Sequence, residues 1–155
     1  MDAPNPKSTA RFMDHPIHPM LVPFPIAFFI GALLADLAYL KLGVPFWATA
    51  AAWLLGAGLV GAALAALAGL TDFLGDRRIR AIGDAWLHML GNVTAVVIEL
   101  INLALRWGHP EAALPSPGVY LSGVAVLLLA FTGWKGGNLV FRHRVGVLGP
   151  EDIPG

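Results

Sequence analysis

The sequence predicts an all-α fold, a four-helix bundle in which every helix spans a membrane. The first observation behind this prediction is composition. Of the 155 residues, 57% are hydrophobic and only 13% are charged, whereas about 25% of residues are charged in a soluble domain. The second is arrangement, because the apolar residues form four blocks, each about as long as the roughly 20 residues that a membrane-spanning helix needs. Most of these blocks are apolar on every side, which is typical of helices surrounded by lipid.

The predicted spans cover residues 21–40, 46–70, 85–105 and 118–141. The first contains Asp36 as its only charge, and its two early prolines stand in the first turn, where a helix tolerates them. The second contains no charge, and the fourth contains none before Lys135. These bounds divide the chain into an N-terminal segment of residues 1–20 with an HPxHP motif, a four-span domain of residues 21–141 and a tail of residues 142–155.

The basic residues that flank the spans predict the orientation of the chain. In membrane proteins, Lys and Arg in short loops gather on the cytoplasmic side. One predicted side has only Lys41 and Arg106. The other side has seven basic residues, which are Lys7, Arg11, Arg77, Arg78, Arg80, Arg142 and Arg144. We therefore predict that both termini are cytoplasmic.

Composition and motifs also exclude several classes of function. The ten basic and ten acidic residues cancel, so no net field would attract nucleic acid. The absence of cysteine excludes disulfides, thiolate metal sites, cysteine-ligated iron–sulfur clusters and c-type haem. The sequence has no HExxH motif and no motif that pairs a nucleophile with a base. It leaves enzymatic activity open, and favours an electron carrier or redox subunit over a hydrolase or transferase.

A stripe of polar residues runs along the third span. Its members recur every three or four residues and share one helical face, and they are Asp84, His88, Asn92, Glu99, Asn102 and Arg106. A charged side chain that faces lipid at the centre of a span costs at least about 2.5–3.5 kcal/mol, so this face is expected to point into the bundle. There it would bond helices together, surround a cofactor, or form a proton or ion path with Glu99 as the titrating group and Asn102 beside it.

The second span has a face of small residues that ends at Asp72. Gly58, Ala62, Ala65 and Gly69 precede Asp72 at steps of three or four residues, and such faces let helices approach closely. Three roles are open to Asp72, which would cap the span, pair with the arginines that follow it, or point into the bundle.

Four of the five histidines are predicted at one end of the bundle. These are His15, His18, His88 and His143, whereas His109 lies at the other end. In the HPIHP motif, each histidine precedes a proline, which favours an extended conformation and points both rings the same way. Neutral imidazole is a common metal ligand, and two histidines on facing helices can hold b-type haem. The sequence leaves the pairing open: His88 with His143, or His18 with either.

Other residues at this end suit the surroundings of a cofactor. Gly136 and Gly137 would leave room for a planar ring, and Lys135 or Arg142 would meet a haem propionate. Asn92 and Asn138 complete the predicted cofactor-binding set. For a metal ion, the alternative set is His18, His88, His143 and Asp72.

Several of these motifs resemble a known family. The opening motif HPIHPMLVPFPI at residues 15–26, the small-residue span that ends at Asp72, His88 with Asn92, and the closing motif GGNLVFRHRVGV at residues 136–147 are similar to the bacterial transmembrane family DUF2231. The resemblance covers roughly residues 13–148 and implies a four-span, multi-pass protein of the cell inner membrane. Some members are fused to Rieske iron–sulfur domains, which implies work in electron transfer. Pro23 stands where many members have a histidine, and Arg144 stands where glycine is usual.

The sequence therefore predicts an integral membrane protein in contact with lipid that binds haem b, or a histidine-ligated transition metal. Such a protein would exchange electrons with a quinone or with a redox protein such as a Rieske protein or a cytochrome. Two alternatives stay open. One is an assembly subunit without a cofactor, working within a homo- or hetero-oligomer, and the other is a proton or ion transport module that uses Glu99 and Asn102.

Overall fold

The computed structural model describes residues 5–13 and 15–149, so the outermost parts of the predicted N-terminal segment and tail, and Asp14, lie outside the described residues. The described chain begins with two short antiparallel strands, β1 (Arg11–Phe12) and β2 (His15–Pro16). Six helices follow, which are α1 (Ile17–Leu21), α2 (Pro23–Leu42), α3 (Pro45–Gly75), α4 (Arg77–Arg80), α5 (Gly83–Leu105) and α6 (Gly118–Phe141).

The four predicted spans are confirmed as four helices that are long and apolar enough to cross a membrane, with α1 and α2 together forming the first. The predicted and observed bounds agree closely, and those of the fourth span are identical. The largest difference is α3, which continues beyond residue 70 to Gly75. Its 31 residues reach about 46 Å at 1.5 Å per residue, so α3 is tilted or extends beyond a hydrocarbon layer of about 30 Å.

The helices form a closed bundle. α2 packs on α3 and α5 packs on α6, while contacts of α2 with α6 and of α3 with α5 join the two pairs. The core is thin, and its centre is Phe29, Ala32, Leu55 and Ala62. The Phe29 ring packs directly against Gly58. It fits there because glycine has no Cβ, and a Cβ at Gly58 would lie 2.6 Å from the ring. Large apolar side chains instead cover the outside of the bundle, as expected for a surface that contacts lipid.

Both described ends of the chain lie side by side at one end of the bundle, which we call the terminal end. The Asn5 side chain donates to the Val147 carbonyl at 3.1 Å, and the Gly146 N–H donates to the Pro6 carbonyl at 2.9 Å. The loop between α3 and α5 is at this end too. There Asp76 begins α4 by accepting a hydrogen bond from the Arg78 N–H, and hydrogen bonds from the Arg78 side chain lower the pKa of Asp76 to about 2.

Arg144 has a left-handed backbone conformation, with φ of 53°, at the position where the resemblance indicates glycine. This conformation costs a residue with a Cβ roughly 1 kcal/mol or more, and costs glycine almost nothing. We therefore expect Arg144→Gly to raise the free energy of unfolding by up to about 1 kcal/mol, measured by thermal unfolding in detergent. The control is Arg142→Gly, because Arg142 has φ of −97° and ψ of −42° and should lose stability. Equal losses in both variants would contradict the expectation.

Candidate functional site

Two histidines from different helices meet at the terminal end. The rings of His18, on α1, and His88, on α5, have centroids 6.0 Å apart and planes at 87°. The sequence left three pairings open, and this is the pair that the fold brings together. We call His18 and His88 the histidine pair.

The position of His18 differs from the prediction for the HPxHP motif. His15 lies in β2, where its exposed ring contacts the Met13 carbonyl through Nδ1 at 2.7 Å. His18 lies in the first turn of α1, and its Nδ1 bonds the Ala65 carbonyl on α3 at 2.8 Å. The motif is therefore not continuously extended, and the two rings make different contacts. The physical reason is that Pro19 is in the first turn of α1, where a proline removes no intrahelical hydrogen bond.

His88 is held by residues of α5 and α6. Its Nδ1 bonds the Thr132 carbonyl at 2.8 Å, and the Asn92 Nδ2 lies 3.3 Å from its Nε2. Asn92 is itself oriented by two bonds, because its Nδ2 donates to the His88 carbonyl at 2.7 Å and its Oδ1 accepts from the Thr132 hydroxyl at 3.0 Å. Thr132 was not among the predicted site residues, because a backbone carbonyl acceptor leaves no signal in the residue type.

The hydrogen bonds determine which ring nitrogens carry hydrogen in neutral histidines. A carbonyl oxygen can only accept, so both Nδ1 atoms donate and both Nε2 atoms keep their lone pairs. This is the usual arrangement of histidines that bind a metal, because a carbonyl on the far nitrogen fixes the ring and raises the basicity of the ligating nitrogen. The histidine pair therefore presents two oriented Nε2 acceptors.

Two glycines make room for these rings. A Cβ at Gly69 on α3 would lie 2.8 Å from the His18 Nδ1, and a Cβ at Gly136 on α6 would lie 2.9 Å from the His88 Cε1. Gly136, which was predicted as part of the cofactor-binding set, therefore lies next to the histidine pair. A Cβ at Gly137 would meet no atom within 4 Å, so Gly137 is not in contact with the histidine pair.

Gly136→Ala is expected to push the His88 ring out of its place. Alanine normally stabilises a helix relative to glycine by up to about 1 kcal/mol, and Gly133→Ala should show that gain, because a Cβ there meets nothing within 4 Å. We expect Gly136→Ala to have a free energy of unfolding at least about 1 kcal/mol below that of Gly133→Ala, since the new methyl group overlaps the ring. Thermal unfolding of both variants in one detergent measures the difference. Equal stability would mean that the His88 ring moves aside freely.

The remaining cofactor candidates gather around Asp84 at the start of α5. Lys135 Nζ donates to Asp84 Oδ1 at 2.9 Å, and Asn138 Nδ2 donates to Oδ2 at 3.0 Å. His143 Nε2 lies 3.9 Å from the same carboxylate, with its side chain 40% exposed. Arg142 is exposed. Lys135, Asn138 and His143 thus form a separate surface cluster around a carboxylate.

Asp72 binds the N-terminal segment. Its Oδ1 accepts hydrogen bonds from the Ser8 hydroxyl at 2.9 Å and from the N–H groups of Thr9 and Ala10, each at 2.7 Å. The predicted metal set of His18, His88, His143 and Asp72 is therefore not assembled. Among residues 5–13 and 15–149, no group of three or more His, Asp or Glu side chains could hold a metal ion.

A second polar site lies toward the opposite end of the bundle, where α2, α5 and α6 meet. Arg106 binds Asp36 through both terminal nitrogens, from Nη1 to Oδ1 at 2.5 Å and from Nη2 to Oδ2 at 2.8 Å. Arg106 is 1% exposed and Asp36 is 0% exposed. Arg106 was predicted both on the polar stripe of the third span and among the flanking charges. Its burial against Asp36 agrees with the stripe. The sequence feature that could have indicated the buried role of Asp36 is that it is the only charged residue in the first predicted span.

Three more buried residues complete this network. The Asn102 Oδ1 accepts a hydrogen bond from Arg106 Nε at 3.0 Å. The Asn102 Nδ2 donates to Glu99 Oε2 and to the Ser122 hydroxyl, both at 2.9 Å. The Ser122 hydroxyl donates in turn to Asp36 at 2.9 Å. Glu99 Oε1 is buried without a hydrogen-bond partner in the described chain. The polar stripe of the third span thus faces the bundle interior, as predicted. We call Asp36, Glu99, Asn102, Arg106 and Ser122 the buried network.

Comparison with known families agrees with this architecture. The model of the family described as predicted membrane protein (DUF2231) matches residues 14–149. The chain belongs to this family. The match includes the histidine pair and the buried network, so both are within the DUF2231 region of the chain. No curated protein and no solved structure matches the chain.

Proposed function

We propose that this integral membrane protein binds b-type haem between His18 and His88 and works in electron transfer. The observation that carries the proposal is the geometry of the histidine pair. Two rings from separate helices are 6.0 Å apart, and each is oriented by an Nδ1 bond to a helix carbonyl. Those bonds direct the ligand chemistry to the two Nε2 atoms.

The number of ligands favours haem over a bare metal ion. A metal ion bound only by side chains needs about three or four ligands, and the described residues offer no cluster of three. Haem would bring four nitrogen ligands of its own, so His18 and His88 would be enough to hold it. A bound haem would supply one-electron oxidation and reduction.

The separation of the His18 and His88 rings is compatible with binding a haem iron. Two imidazoles that bind one metal atom would have centroids up to roughly 6 Å apart, because metal–imidazole bonds are roughly 2 Å long, and those of His18 and His88 are 6.0 Å apart. Gly69 and Gly136 give both rings space. Asn92 would have to release the His88 Nε2, and this 3.3 Å contact is the longer of its two bonds to His88. Its 2.7 Å bond to the His88 carbonyl can remain.

The proposal extends to location and partners. With both termini in the cytoplasm, as the basic flanks predict, the histidine pair would lie near the cytoplasmic face of the inner membrane. An electron could pass there to a quinone in the bilayer or to a redox protein such as a Rieske protein or a cytochrome. Lys135 is bound to Asp84, so a propionate would have to compete with that carboxylate.

An absorption spectrum of the detergent-purified protein tests the proposal. We expect a Soret band in the oxidised protein, sharpened visible bands after reduction with dithionite, and haem close to one per chain. A protein expressed with ample haem precursor that shows no Soret band and no stoichiometric metal would contradict the proposal. The predicted alternative of an assembly subunit without a cofactor would then be favoured.

A further inference from the structure

The buried network contains one carboxyl group, that of Glu99, whose negative charge would not be balanced by a cation. Asp36 and Arg106 form a bidentate pair, so their charges cancel. Glu99 is 0% exposed, and the charged groups near it are Arg106 and Asp36. An ionised Glu99 would therefore give the centre of the bundle a net negative charge.

The hydrogen bonds do not compensate such a charge. All three side-chain nitrogens of Arg106 bind other acceptors, two on Asp36 and one on Asn102. Glu99 Oε2 receives only the neutral amide of Asn102, and Oε1 has no partner in the described chain. Buried carboxylates normally need a cation or several donors, and a carboxyl group without them takes up a proton instead.

We infer that Glu99 is a proton-binding site, whose carboxyl group carries a proton in the folded protein and exchanges it with water at the end of the bundle away from the chain termini. This inference is independent of the haem proposal, because the two sites share no residue. A metal cation is a poor occupant, since hard cations require several oxygen ligands and the group that binds Glu99 within the described chain is an N–H donor.

A cleft at this end of the bundle reaches one member of the network, Arg106. It lies between α3 and the end of α5, and its lining includes Thr49, Trp53, Leu103 and Arg106. Asn102 joins Arg106 to Glu99 by hydrogen bonds. Neither a guanidinium nor an amide relays a proton, so the proposed exchange requires water to enter from this cleft. The cleft therefore reaches the network at the end opposite the histidine pair.

Infrared spectroscopy of the full-length protein in lipid tests this inference. At pH 7 we expect the carbonyl stretch of a protonated carboxylic acid, and a shift of this band in D₂O because the proton exchanges. The band should disappear in Glu99→Gln and remain in Glu111→Gln, because Glu111 is an exposed carboxyl on the loop between α5 and α6. A wild-type spectrum without the band, a band that survives in Glu99→Gln, or a band that does not shift in D₂O would each overturn the inference.

A second measurement needs no variant. Dicyclohexylcarbodiimide, an apolar reagent, modifies carboxyl groups that are protonated in apolar surroundings, and mass spectrometry locates the adduct. We expect the adduct on Glu99 and not on Asp36, because both carboxylate oxygens of Asp36 are bound by Arg106. An adduct on Asp36 in place of Glu99 would overturn the assignment of the proton.

Discussion

Arg106→Met is expected to destabilise the bundle by about 3–5 kcal/mol, which is the usual cost of removing one partner from a buried ion pair. The loss arises because Asp36, at 0% exposure, would be left buried without its cationic partner, and because the Asn102 Oδ1 would lose its donor. The methionine fills most of the volume of the arginine stem, so the effect reports on charge more than on a cavity. Unfolding in mixed micelles with increasing SDS measures it.

The double variant Asp36→Leu/Arg106→Met separates the charge from the rest of the network. We expect it to recover at least half of the lost stability, because no unpaired charge remains. Lys41→Met is the control, since Lys41 is an exposed basic residue on α2 toward the same end of the bundle. A loss below about 1 kcal/mol in Arg106→Met, equal to that of the control, would show that water or lipid headgroups reach Asp36 and screen its charge.

His18→Ala and His88→Ala are each expected to lower the haem content per chain at least tenfold. Each removes one of the two histidines that would hold the haem. No neighbour can replace it, because no third His, Asp or Glu joins the pair in the described residues. Haem absorbance divided by protein concentration measures the effect, and far-ultraviolet circular dichroism verifies that the helices are intact.

Three matched variants test the identity of the pair. His15→Ala, His143→Ala and His109→Ala should keep their haem. The His15 ring bonds the Met13 carbonyl, His143 lies beside Asp84, and His109 is in the loop between α5 and α6. If His143→Ala lost as much haem as His88→Ala, the pairing of His88 with His143 would be correct and the proposed ligand His18 would be wrong.

The helices could be predicted closely because their signal is local. A block of about 20 apolar residues identifies a span whatever its neighbours are, and the α6 bounds of Gly118–Phe141 match the prediction. The first span begins earlier than predicted, at Ile17, because His18 and Pro19 lie in helix α1, whereas the HPIHP motif predicts an extended conformation there. The backbone conformation at Arg144 is also a local property. Its φ of 53° agrees with the glycine that the family resemblance indicates at this position.

The sequence predicted which residues belong to the candidate site, but it did not predict which of them contact one another. His18, His88, Asn92 and Gly136 were all on the predicted list, but so were residues that bind elsewhere, such as Asp72, which holds the N-terminal segment. Periodicity places residues on a face of their own helix. It carries no information on the rotation of one helix against another.

The sequence by itself determined that the protein is a four-span membrane bundle and that the polar face of the third span points inward. Both follow from the cost of exposing polar groups to lipid, which acts on each helix separately. Only the tertiary structure decided that His18 meets His88 and that Asp36 binds Arg106, residues 70 positions apart in the chain. These pairs depend on how helices close into a ring, because small residues such as Gly69 and Gly136 determine where backbones approach closely enough for side chains to meet.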